Sequence, residues 1–433
     1  MREPLWGVSV STMDAKAHLV PDPIPTPPPS RRRNDAAEPR VLRPRRAAPS
    51  DCVRPTRAEV NLAALRHNLR VLERHAGTAQ VWPVLKADGY GHGAPAVART
   101  LERAGAKGFC VALVEEAIEL RDAGIRAPIL VMGGYYGDAH EEILERELIP
   151  VVYDPAHLEA FARAALALER PAHVHVKIDT GMARLGVRYD ALAPFLDSLA
   201  SHAAEIEVTG LMTHLSCAEM GQLGVSPEAT TEQLARFEVA CAEMARHGVR
   251  PAVRHAANSA AVLRGDGLFD VVRPGVSVFG FAPRLGGDGP SLSTELRPVM
   301  RVRTEVVDVR SLGVGEPVGY GATFRTSRAS RIATVPMGYA DGMSRAVSNR
   351  GAVLVRGRRA PIVGAVSMDM AMIDVTDIPG VTLRDEVVVL GAQSGPAGSD
   401  VITVDEVAEA VGTIGWEVMT DLSRRVPRFY REP

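Results

Sequence analysis

The sequence has few cysteines, little net charge and no long apolar run, and each shortage excludes something. Cys52, Cys110, Cys217 and Cys241 are widely spaced and form no CxxC pair, so neither a zinc site nor a disulfide framework is implied. That usage fits a reducing cytoplasm. His173 and His175 alternate on one stretch with no third ligand nearby, and no metal is expected. A formal net charge of -2 gives no bulk attraction to nucleic acid or to an anionic membrane, and neither is an expected partner. No apolar run approaches the roughly 20 residues of a membrane-spanning helix. The first residues lack the apolar core of a secretory signal. Hydrophobic residues at 46% and charged residues at 24% place the chain among ordinary globular proteins, and its 433 residues allow two or three domains.

Residues 1–50 differ from the rest. They hold 10 of the 31 prolines, with nine Lys/Arg against five Asp/Glu. Such a segment buries too little apolar surface to offset its ordering entropy, and a disordered Pro/Arg-rich tail is predicted there.

From about Thr56 short apolar strands alternate with amphipathic helices: "VWPVLKA" (81–87), "PAVARTLERAGA" (95–106), "GFCVAL", "VEEAIELRDAG", "APILVMGG". Strands buried on both faces and each followed by a helix argue for an α/β fold with parallel strands. Continued to about residue 290, the series predicts a TIM-like (β/α)8 barrel over 56–290. An open doubly wound sheet is the alternative, but no GxGxxG follows the first strand. After residue 290 strands separated by Gly-rich turns dominate, which predicts a second, mostly β domain over 291–430.

Catalytic groups of such a barrel lie at the C-terminal ends of its strands. Lys86, Lys177, Arg184, His214, Asn258, Ser259 and Arg273 all fall at or just after predicted strand ends. Lys86 follows two apolar residues in "VLKADGYGHG". On spacing alone it is either a solvated lysine or an amine kept partly neutral for Schiff-base chemistry.

Six segments in order, "VLKADGYGHGA", "KIDTGMARLG", "RPGVSVFG", "VGYGATF", "MGYADG" and "SMDM", resemble the alanine racemase family over about residues 56–430. The family joins a barrel that binds pyridoxal 5'-phosphate to a C-terminal β domain. The resemblance implies a homodimeric isomerase that interconverts L- and D-alanine for peptidoglycan. By it, Lys86 carries the cofactor and serves as one base, and Tyr320 of the partner subunit serves as the other. A proton must leave one face of the α-carbon and return to the opposite face, which calls for two opposed groups. Arg273 would face the pyridine nitrogen and, being unable to give up a proton, leave that nitrogen unprotonated. His214 would hold Arg273 in place. Phosphate binding would fall to Tyr90, Ser259 and the amides of Gly275 and Val276. Arg184 and the amide of Met368 would meet the substrate carboxylate, Tyr339 would line the entrance, and Lys177 matches a lysine that is often carbamylated.

Two positions depart from the family pattern. Trp416 stands where many members have a tyrosine on the phosphate, and Ala365 where an arginine is common near the entrance. Both bear on which side chains are admitted. Serine or a broader set of amino acids, a related decarboxylase activity, and sequestration of a racemase inhibitor are the rival readings. His92 is expected to be structural, and the side chains of Met368, Met370 and Met372 to be packing. Asp341 and Asp369 are assigned no chemical step.

Overall fold

The computed structural model describes residues 53–133, 136–218, 228–282 and 295–432, and the predicted tail over 1–50 lies outside them. Six parallel strands follow one another in space as Phe109–Val111, Ile129–Val131, Leu148–Val152, Ala172–Asp179, Ile206–Met212 and Val253–His255. Gln80–Val81 and Val271–Val272 form a parallel pair that fills the remaining gap. Leu85 donates its amide to Cys110 O at 2.8 Å on one side, and Asp270 donates to Arg254 O at 3.1 Å on the other. Eight strands therefore close on themselves. Helices cover the outside, several with a polar cap: Asn61 Oδ1 accepts from Ala64 N before Leu62–Ala76, and Asp154 Oδ1 from Ala156 N before Pro155–Ala167.

The second part is β-rich. Its larger sheet runs Arg358–Pro361, Ala352–Val355, Glu386–Gly395, Met300–Glu305, Arg57–Asn61 and Arg428–Arg431, with Gly398–Ile402 also paired to Glu386–Gly395. A three-stranded sheet joins Asp308–Leu312, Ser330–Val335 and Ala371–Asp374. The helices Val404–Val411 and Gly415–Thr420 follow.

Three local expectations change. Arg57–Asn61, which falls inside the range of 56–290 predicted for the barrel, pairs with Met300–Glu305 and Arg428–Arg431, so the first described strand belongs to the β sheet. The stretch 81–87 is not a continuous strand. Pro83 interrupts the ladder, leaving a single bridge at Val84, and the chain then enters a left-handed turn. Ser367–Met370 is a tight turn, with Ser367 N donating to Met370 O at 2.9 Å. Met368 and Met370 are therefore exposed, and only Met372 packs inward, on Val318, Ile332 and Val363.

Candidate active site

Lys86 starts a turn in which Ala87, Asp88, Gly89, Tyr90 and Gly91 all have φ between 50° and 78°. Three of these carry a Cβ, and each costs about 1–2 kcal/mol in the left-handed region. The surroundings hold them there. Glu116 Oε1 accepts the Ala87 amide at 2.6 Å, and its Oε2 accepts from Ala112 and Leu113. Asp88 Oδ1 accepts from Ala94 N at 2.9 Å, which ties the turn to the next helix. His92, fully buried, lies with Nδ1 within 3.0 Å of Gly89 O and 2.9 Å of Tyr90 O and stacks on Phe279. That role is structural, and burial pushes its pKa down to about 3. Arg428 donates from Nε to Gly91 O at 2.9 Å and from Nη2 to Leu422 O at 2.6 Å. One guanidinium thus fastens this turn to the end of the helix Gly415–Thr420.

The turn delivers Lys86 and Tyr90 to a cavity of about 470 Å³. His214, Asn258, Ser259, Arg273, Gly275, Val276, Trp416 and Thr420 also line it. Among the described residues that line it, none is acidic. Lys86, Lys177, Arg184 and Arg273 all act on His214, and with burial, the larger cause, they hold its imidazole well below the ordinary range. A mouth so charged suits anions. Ser259 Oγ accepts the amide of Gly275 at 2.9 Å, and any Cβ at Gly275 would come within 2.4 Å of Tyr90 Oη. Glycine there lets backbone and phenol converge closely, as a phosphate cradle requires.

Burial lowers the Lys86 amine from the usual lysine range. Arg184 pushes in the same direction, and Glu116 opposes. Lys177 is lowered to about 8 by burial, then by Arg184 and Arg273, against the pull of Asp179. Arg273 is buried and lowered to about 10, still a cation at neutral pH. Its Nη1 lies 2.6 Å from His255 Nδ1, and its Nη2 donates to Thr213 O and Ala256 O. The side chain that grips Arg273 is therefore His255, while His214, expected in that place, lines the cavity beside it. Arg273 Nε is buried without a partner among the described residues. A buried donor without a partner, on a residue that lines the cavity, would be satisfied by a ligand nitrogen that accepts, such as an unprotonated pyridine.

Tyr320 and Met368 do not line this cavity. Tyr320 is 75% exposed and Met368 52%, with Tyr339 at 43%. Tyr320 borders a separate surface hollow with Met370 and Met372. Tyr339 is set by the packing of two loops, its amide donating to Ser367 O and that of Ala340 to Met368 O, both at 3.0 Å. Buried Asp341 accepts from Arg54 and from Gly338 N, and Arg425 lies 3.4 Å from Asp341 and 2.6 Å from Asp369. Those carboxylates brace the loops. Sequence reasoning missed His255, Thr213, Glu116 and Thr420. His255 directly follows a strand-like run as the other strand-end residues do, which was the available signal.

Residues 60–283 match the family model described as alanine racemase, N-terminal domain, and 299–430 the one described as alanine racemase, C-terminal domain. The alanine racemase of Sorangium cellulosum is 58% identical over 390 residues, 88% of this chain and all of that protein. The alanine racemase of Bacillus anthracis, solved with bound L-Ala-P, superimposes with a TM-score of 0.78 at 32% identity, covering 88% of this chain and 96% of that one. The alanine racemase of Bartonella henselae, solved with covalently bound pyridoxal phosphate, gives 0.76 at 29% identity, covering 87% and 99%.

Proposed function

Because the chain belongs to the alanine racemase family, a family of isomerases that use pyridoxal phosphate, we propose that it interconverts L- and D-alanine with two bases, Lys86 of one subunit and Tyr320 of the other. The observation that carries this reading is the buried, unpartnered Nε of Arg273, a residue that lines the same cavity as Lys86 and the Tyr90–Ser259–Gly275 cluster, with no acidic side chain among the described lining residues.

Pyridoxal phosphate, when bound, supplies the electron sink that acidifies the α-carbon of the amino acid. The rest is the work of this chain. Tyr90, Ser259 and the amide of Val276 would hold phosphate, with Trp416 lining the same cavity, whereas the amide of Gly275, expected to join them, is donated to Ser259 Oγ. Arg273 would donate to the pyridine nitrogen and, being unable to give up a proton, would leave it unprotonated. Lys86, its amine lowered chiefly by burial, has more of its free base at neutral pH than a solvated lysine and accepts a proton on one face. Tyr320 acts on the other face. Its exposure in a single protomer, away from the cavity, supports delivery to a second copy of the chain. The same holds for the Met368 amide, which with Arg184 meets the substrate carboxylate, and for Tyr339 at the entrance. Carbamylation of Lys177 would turn its repulsion by Arg184 into attraction.

The decarboxylase alternative is disfavoured, since a pyridine nitrogen paired with an acid would need a carboxylate where Arg273 stands. A cytoplasmic homodimer supplying D-alanine to peptidoglycan is part of the proposal. The free thiols of Cys110, Cys217 and Cys241 agree with that compartment. The test is turnover: the purified chain, loaded with pyridoxal phosphate, should form D-alanine from L-alanine in an oxidase-coupled assay. Strong turnover of serine or lysine with little of alanine would overturn the substrate, and tight inhibitor binding with no turnover would overturn the activity.

A further inference from the structure

We propose that His175 is a positioning residue for Arg273, acting through His255 as the last acceptor of a buried hydrogen-bond chain. The proposal rests on the reading that Arg273 faces the cofactor's pyridine nitrogen.

The direction of the chain follows from its first member. A guanidinium has only donors. Nη1 of Arg273 lies 2.6 Å from Nδ1 of His255, so Nδ1 must carry the lone pair. A neutral His255 then bears its proton on Nε2. That atom lies 2.8 Å from Nδ1 of His175, which must accept in turn and place its own proton on Nε2. Neutrality of both rings agrees with their surroundings. His255 is fully buried and His175 2% exposed, and burial foremost, with Arg273 next, lowers both.

The fold makes room for this arrangement. His175 and Lys177 alternate on the strand Ala172–Asp179 and both are buried. The strand that carries Lys177 thus sets His175 two residues nearer its start, on the same face. A Cβ at Gly210 on the neighbouring strand would fall 2.5 Å from His175 Nε2, so glycine is what admits the ring. Trp82 stacks over it with centroids 6.2 Å apart. Without an acceptor at 175, the Nε2 proton of His255 is buried and unpaired. That unpaired N–H lowers the preference for the tautomer whose Nδ1 accepts from the guanidinium, and the ring is free to turn away from it. Arg273 loses its side-chain anchor, and with it the alignment of the open Nε.

The test uses the whole chain loaded with pyridoxal phosphate. In the unmodified protein labelled with nitrogen-15 histidine, His255, assigned through His255→Gln, should be protonated on Nε2. Protonation on Nδ1 would overturn the proposal whatever the variants do. His175→Asn keeps an oxygen near the position of Nδ1, and His175→Leu does not. Abortive transamination moves the amino group of alanine onto the cofactor and leaves pyruvate, so pyruvate formed per racemisation event reports the hold on the pyridine nitrogen. His175→Asn should stay within about twofold of the unmodified ratio, and His175→Leu should raise it about tenfold or more, with His255 losing its single tautomer. A folded His175→Leu holoenzyme with ratio and tautomer unchanged, or an Asn variant as defective as Leu, would overturn the role. Absence of any racemisation in the unmodified protein would instead sink the proposed function.

Discussion

Glu116, in the first turn of the helix Val114–Asp122, reaches back to accept the amide of Ala87, the residue after Lys86, at 2.6 Å. Its second oxygen accepts two more amides, so one carboxylate pins the start of a strained turn to its neighbouring helix. Glu116→Ala should cost about 2 kcal/mol or more in chemical unfolding. It should also weaken cofactor retention, because Lys86 loses its fixed origin. Glu116→Gln, which keeps one acceptor oxygen, should fall between. Equal cofactor affinity in all three proteins would contradict the role.

Arg428 makes a second tie from the opposite side of that turn. It is 5% exposed and donates to Gly91 O, Leu422 O, Ser423 O and Val426 O. Arg428→Met strands buried carbonyls and should lower stability by about 3 kcal/mol. Trp416 and Lys86 would lose registry together, so the absorbance of the bound cofactor should broaden or shift. A stable variant with an unchanged spectrum would contradict this.

The pH dependence of Lys177 has a defined sign. Its folded value is about 8 against 10.5 for a free lysine. Between those values the unfolded chain binds more protons, so stability rises with pH across that window. In carbonate-free buffer, where the amine is unmodified, Lys177→Met should flatten the slope by up to about 1.4 kcal/mol per pH unit. An identical slope in both proteins would show that Lys177 does not titrate there.

Most strand ends that line the cavity were legible because a cation or amide ends an apolar run, as at Lys86, Asn258 and Arg273. What escaped depends on residues far apart in the chain. His255 is one more polar residue at a strand end until Arg273 and His175 are set against it. Glu116 looks like part of a solvated helical face until the Ala87 amide arrives. Arg57–Asn61 has the same local pattern in either sheet, and only its partners Met300–Glu305 and Arg428–Arg431 assign it. The strand predicted over 81–87 stops early at Pro83, and the left-handed run from Ala87 to Gly91 after it is held by tertiary hydrogen bonds that no local pattern announces.

Subunit mixing tests the two-base site most directly. Lys86→Ala and Tyr320→Ala chains, each inactive alone, are combined and allowed to exchange, with hybrid dimers verified by tagged copies. If each site takes its lysine from one chain and its tyrosine from the other, a hybrid holds one intact site, and activity should return to about a quarter of the unmodified level. No recovery despite proven exchange would contradict a site shared between subunits.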